Sequence, residues 1–103
     1  MFCWTDDMIS FMQDAESFGS YQNELADWIC EALPVVRHVC DAGCGLGFLS
    51  VRLAERFETV TAADISGQAV ANLHRIAAEK NVSNLEILET DMLTFAPEAP
   101  YDA

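Results

Sequence analysis

Three glycines in alternate positions, Gly43, Gly45 and Gly47, come just after an acid, Asp41, and two further acids, Asp64 and Asp91, lie downstream. Lacking Cβ atoms, such a loop can turn tightly and let a ligand come close to backbone N–H groups. It does not fit the common phosphate binders. The dinucleotide fingerprint G-x-G-x-x-G puts its third glycine at position 48, which is Phe48, and a P-loop ends in Gly-Lys-Ser/Thr, whereas the first lysine of this chain is Lys80. Asp41 is a poor neighbour for a pyrophosphate and a good one for an ammonium group. The loop therefore predicts a ligand that carries positive charge near Asp41.

Other reactive side chains are less well arranged. Cys3, Cys30, Cys40 and Cys44 form no Cys-x-x-Cys pair, and there is no His pair of the kind a zinc site uses, so a metal site built from Cys30, His38, Cys40 and Cys44 is not expected. Cys44 sits near the start of a predicted helix, where a thiol pKa is lowered. No base stands beside it, because His38 falls within a predicted strand and His74 near the middle of a predicted helix. No catalytic residue is assigned.

The elements that must position the loop and the acids follow from hydrophobic periodicity. Met8, Ile9, Phe11, Met12, Ala15 and Phe18 recur at helical spacing up to Gly19, and Leu25, Trp28, Ile29, Ala32 and Leu33 mark a second helix that Pro34 ends. These two helices make a leader over residues 1–34. From Val35 the pattern turns to alternating strand and helix, the signature of a parallel sheet with crossovers. Val35, Val36, Val39 and Cys40 read as the first strand, and Leu46, Leu49, Leu53 and Phe57 as its helix. Thr59 to Ala63 read as the second strand, followed by a helix that Ser66 caps and Val70, Leu73, Ile76 and Ala77 line. Asn81 to Asn84 is a turn, and Leu85, Ile87 and Leu88 form a third strand running to Asp91. Each acid then stands at or just past the C-terminal end of a successive strand, the edge where open parallel sheets bind ligands.

Composition narrows the partners. The chain has 103 residues, one domain's worth, with 51% hydrophobic residues and a formal charge of −12. That field repels phosphate backbones and anionic membranes, so neither nucleic acid nor a membrane is expected as partner. No apolar run approaches the roughly 18 residues of a span, and the start lacks the basic region of a signal peptide, so a cytoplasmic protein with reduced thiols is expected.

The run Val39-Cys40-Asp41-Ala42-Gly43-Cys44-Gly45-Leu46-Gly47-Phe48-Leu49-Ser50 resembles motif I of the class I S-adenosylmethionine-dependent methyltransferases, and Asp64-Ile65-Ser66 and Thr90-Asp91-Met92 follow in that family's order. The resemblance covers about residues 35–103 and implies a Rossmann-like α/β parallel sheet preceded by two helices. It implies S-adenosylmethionine as cofactor, with Asp41 toward the methionine ammonium and the backbone of Ala42, Gly43, Cys44, Gly45, Leu46 and Gly47 along the methionine and ribose. By the same resemblance Asp64 takes the ribose hydroxyls, Ile65 the adenine face, and Asp91 with the Met92 backbone the adenine amino edge; Tyr21 is a weaker candidate for closing over the sulfonium. Loss of the Asp64 carboxylate is expected to weaken the ligand with little cost to the fold.

The implied activity is methyl transfer to a small-molecule acceptor; the alternative is a non-catalytic cofactor-binding or interaction module on the same fold. A nicotinamide-binding Rossmann half is disfavoured by Phe48. The family's sheet has seven strands, of which residues 35–103 supply three, with Tyr101-Asp102-Ala103 resembling the opening of a fourth. A first strand left near an open edge is expected to favour self-association.

Overall fold

The structure is a computed structural model in which residues 5–17, 21–33, 35–91, 93–95 and 101–103 are described. Two helices, α1 (Asp6–Ser17) and α2 (Tyr21–Ala32), precede β1 (His38–Ala42), α3 (Phe48–Ala54), β2 (Thr59–Asp64), α4 (Gly67–Glu79) and β3 (Leu85–Glu89). The strands form a parallel sheet in the order β1-β2-β3, with His38 opposite Thr59 and Val60 opposite Leu85. Among the described residues no helix is long and apolar enough to cross a membrane.

Alternation along the strands places Val39, Val60 and Leu85 side by side on one face, and Asp41, Ala62 and Ile87 next along that same face. The helices pack there. Val39 and Val60 join Ala26 of α2 and Leu53, Ala54 and Phe57 in one buried cluster, and Ala62 joins Val51 of α3 with Leu73 and Ile76 of α4 in a second. Because the leader helix α2 contributes Ala26 to the first cluster, it is part of the core that carries the loop.

Three expectations are corrected at their edges. The first strand starts at His38, not Val35. Val36 N–H donates to the Leu33 carbonyl at 3.3 Å, so residues 35–37 form the turn out of α2, and Val35 is 91% exposed. The helix after the loop is shorter than the Leu46 to Phe57 stripe, since both end residues are buried in flanking turns. Gly47, with φ +86°, starts it, and past its end the Asn84 side-chain amide donates to the carbonyls of Ala54, Phe57 and Glu58 at 2.7, 3.0 and 3.2 Å. Helix α2 is rotated from the predicted stripe. It packs through Ala26, Ile29 and Cys30 while Trp28 is 65% exposed, and in that orientation Asp27 of α2 pairs with the Arg56 guanidinium at 2.7 Å. Phe18, Gly19 and Pro34 lie outside the described residues.

The edge of β1 opposite β2 is not bare. Ala103 N–H donates to the His38 carbonyl at 3.3 Å and Cys40 N–H donates to the Ala103 carbonyl at 2.8 Å, the bonding of a parallel neighbour. Asp102 adds to this by accepting the N–H groups of Arg37 and His38 at 3.1 and 2.9 Å. The residues expected to open a fourth strand therefore lie alongside β1.

Candidate functional site

The end of β1 turns directly into the glycine loop, whose backbone is pinned to β2. Gly43 and Cys44 N–H groups both donate to the Ala63 carbonyl, at 2.8 and 2.9 Å, and Gly45 N–H donates to Asp64 Oδ2 at 2.9 Å. All three loop glycines have positive φ, a conformation that L side chains rarely adopt. At Gly47 space is short as well. A Cβ there would lie 2.2 Å from Leu73 Cδ1, so this glycine is dictated by the fit of the loop against α4.

Asp64 clamps two turns at once. Besides Gly45, its other oxygen, Oδ1, accepts the Ser66 N–H at 2.9 Å, and Ser66 Oγ then caps α4 by accepting from Ala69 N–H at 3.3 Å. The predicted cap is thus present. Asp41 points toward α3, where the fully buried Ser50 donates its hydroxyl to Asp41 Oδ2 at 2.6 Å. Burial raises the Asp41 carboxyl above its ordinary range; the Ser50 hydrogen bond opposes the shift and the charge of Asp64 adds to it. A cationic group arriving at Asp41 would oppose that shift and favour the charged form.

Beside them Cys44 is pushed up to about 12 by burial and then by the charges of Asp41 and Asp64. At that value it stays a thiol at neutral pH, and the helix-terminus effect expected of its position is overridden. Cys40 shifts the same way, through burial and Asp41. Among the described residues no group of three or more His, Cys, Asp or Glu side chains is placed to hold a metal ion. His38 is exposed at the start of β1, where its ring meets the Thr59 hydroxyl, and His74 is exposed on α4.

A cleft of about 320 Å³ opens over the loop. Its floor is Asp41, Gly43, Cys44, Gly45, Leu46 and Gly47, and its walls are Met12 of α1, Gln22 and Leu25 of α2, and Phe48 and Leu49 of α3. The N–H groups of Gly43, Cys44, Gly45 and Gly47 are bonded within the protein, so the floor offers a ligand the Asp41 carboxylate and close approach to glycine backbone. The wall is apolar and thioether-bearing apart from Gln22, and the lining suits an ammonium group attached to an apolar chain. Of the three acids, Asp41 lines this cleft, while Asp64 and Asp91 are outside its lining, as is Ile65. Asp64 reaches it through Gly45, Ile65 is 47% exposed, and Asp91 follows β3, where its Oδ1 accepts Leu93 N–H at 2.9 Å. Ala42 is exposed at the end of β1. Met92, like the Tyr21 side chain, lies outside the described residues.

Sequence reasoning missed the supports. Ser50 stands inside the quoted motif, and the signal was a small polar residue among the buried positions of α3. Asn72 interrupts the apolar stripe of α4 and donates to the Leu46 carbonyl in the loop at 3.2 Å. The leader residues Met12, Gln22 and Leu25 carried no signal of their own beyond helical spacing.

Comparison with known proteins identifies the family. A family model described as a methyltransferase domain matches residues 39–103. A ubiquinone biosynthesis O-methyltransferase of Pseudomonas savastanoi pv. phaseolicola is 37% identical over 75 residues, which is 70% of this chain and 32% of that protein. Coclaurine N-methyltransferase, solved with N-methylheliamine and S-adenosylhomocysteine (SAH), superposes with a TM-score of 0.70 at 26% identity over 79% of this chain and 25% of that one. The magnesium protoporphyrin IX methyltransferase of Synechocystis PCC 6803, solved with SAH, gives 0.66 at 28% identity over 81% of this chain and 38% of that one. The chain thus spans about a third of the length of the curated relative.

Proposed function

The chain belongs to the class I S-adenosylmethionine-dependent methyltransferase family, and from that premise we propose that it forms the cofactor-binding part of a methyltransferase acting on a small-molecule acceptor. The observation that carries the reading is the union, in one cleft, of the Asp41 carboxylate with the glycine-loop backbone under an apolar wall. S-adenosylmethionine is the cofactor of the family and supplies, when bound, an activated methyl group. Asp41 would take the ammonium, the loop backbone from Ala42 to Gly47 the methionine and ribose, and Asp64 the ribose hydroxyls. Asp91 and Met92 would address the adenine edge, and Ile65 its face.

The residues present suit orientation and desolvation. Met12, Leu25, Phe48 and Leu49 give the cleft apolar walls, and the bonds to Ala63 and Asp64 fix the loop before a ligand arrives. Cys44, a thiol at neutral pH with no base beside it, is part of the cleft floor and not a nucleophile. The relatives are named for different acceptors, a ubiquinone precursor pathway and a magnesium porphyrin among them, which supports a small-molecule acceptor without selecting one. Calorimetric titration with S-adenosylmethionine, SAH and NAD tests the cofactor reading, and methyl transfer to an acceptor panel tests the activity. Binding of SAH over NAD is expected; tighter NAD binding would overturn it. Binding without turnover across the panel would favour the cofactor-binding module.

A further inference from the structure

Asn72 is 7% exposed, and a buried side-chain amide is costly unless its donors and acceptor are met. Here they are met across three elements. Nδ2 donates to the Leu46 carbonyl in the glycine loop at 3.2 Å, while Oδ1 accepts from Gln13 Nε2 of α1 at 3.0 Å and from the Arg75 guanidinium of α4 at 2.8 Å. The orientation of the amide is forced, since a carbonyl cannot donate and a guanidinium cannot accept. Gln13 must therefore present its NH2 group to Asn72. Gln13 adjoins Met12, which walls the cleft, and Leu46 lies between Gly45 and Gly47 on its floor.

We propose that Asn72 is a positioning residue that latches α1 to the glycine loop, so that the wall and the floor of the cleft take up their ligand-binding arrangement together. The relevance to cofactor affinity rests on the functional reading above; the mechanical coupling does not. A residue needed only to fill this position would be better apolar, like its neighbours Leu73 and Ile76. A second α1–α4 contact supplies the control: Gln68 Nε2 donates to Asp6 Oδ1 at 2.6 Å in an exposed pair that, among the described residues, makes no hydrogen bond to the loop.

The test is hydrogen exchange of the segment 43–47 in the ligand-free chain, alongside SAH titration, for Gln13→Ala, Asn72→Leu, their double variant and Gln68→Ala. Gln13→Ala and Asn72→Leu are each expected to speed loop exchange and weaken SAH about three- to tenfold, the change one net hydrogen bond carries. The double variant should be no worse than Asn72→Leu alone, because both break one path. Gln68→Ala should leave loop exchange at the wild-type rate. Wild-type exchange in Gln13→Ala, losses that multiply in the double variant, or equal acceleration by Gln68→Ala would each overturn the latch. Should Asn72→Leu fail to fold, Gln13→Ala against Gln68→Ala still decides. Failure of the wild-type chain to bind SAH would overturn the cofactor reading while the exchange result stands by itself.

Discussion

Asp64 and Asp91 both follow the end of a parallel strand, yet their carboxylates are held in different ways. Asp64 ends the central strand β2 and bonds to backbone N–H groups of two separate turns, at Gly45 and Ser66. Asp91 follows the edge strand β3, and its carboxylate bonds two residues along, to Leu93, whose side chain is 94% exposed. The central strand is buried along most of its length and the edge strand is half-exposed. Position in the sheet thus decides how firmly an acid is held: a central strand has loops on both sides to tie down, and an edge strand has a local turn. The Asp41 and Asp64 carboxylates are thus held by groups distant in sequence, and the Asp91 carboxylate by its own turn.

The strongest way to break that contrast is at Gly47. Alanine or valine there meets both a positive φ and the Leu73 side chain, which together should cost about 3–5 kcal/mol of stability in urea unfolding. Gly47→Ala on a Leu73→Ala background, compared with Leu73→Ala alone, relieves the clashes with Cδ1 and Cγ but keeps the φ strain and the 3.0 Å approach to Leu73 Cβ. The cycle therefore separates the side-chain clash from the backbone cost. A Gly47→Ala chain as stable as wild type would mean that the loop is not held against α4. Next in size is Asp64→Ala, expected to weaken SAH binding by roughly 1.5–3 kcal/mol, as for hydrogen bonds to a charged group. With Gly45 and Ser66 leaning on this carboxylate, the substitution should also lower stability measurably, contrary to the expectation from sequence. Unchanged urea unfolding would restore that expectation.

Asp41→Asn should act in the opposite sense on the fold. Below the ordinary value of 3.8 both folded and unfolded chains hold the proton. As pH rises, the unfolded chain releases it first, so stability falls until the raised carboxyl in the folded chain ionises too. The variant is expected to lose this decline and to be at least as stable as wild type at neutral pH, while binding SAH about 1.5 kcal/mol more weakly. In wild type, affinity for SAH should rise with pH as Asp41 ionises. A wild-type affinity that is flat across that range would mean that Asp41 does not meet the ammonium.

How much of this was legible depends on whether the cause was local. Strand alternation, the Ser66 cap and the acid at each strand end are short-range patterns, and all three are present in the fold. The loop's glycines were legible as a motif, but the reason for Gly47 is Leu73, a contact made only after α4 docks. Trp28 misled because helical spacing defines a stripe but not which side of it the partner covers; Ala26, too small to stand out, sets the contact. Val35 misled because β-branched residues suit a strand and also tolerate an exposed turn. Ser50 and Asn72 were hidden since polar residues on buried helix faces announce that something is bonded, not what.

The smallest effect is expected at Asp91, and it sharpens the comparison most. Alanine there removes the bond to Leu93 N–H, but Thr94 N–H and Oγ1 bond at 3.0 and 3.3 Å to the Asp91 backbone carbonyl, which the substitution keeps. Most of the turn should survive, with stability changed by less than about 0.5 kcal/mol. Affinity for SAH should fall by only about 0.5–1 kcal/mol, because a carboxylate held only by an exposed local turn is ordered further as the ligand binds, and that entropy offsets part of the bond. S-inosylhomocysteine, which lacks the adenine amino group, isolates the contact. Wild type should prefer SAH over it, and Asp91→Ala should lose that preference while keeping most of its affinity. If Asp91→Ala instead costs as much as Asp64→Ala, the two ends of the site are equally preformed, and the distinction between central and edge strands does not govern binding here.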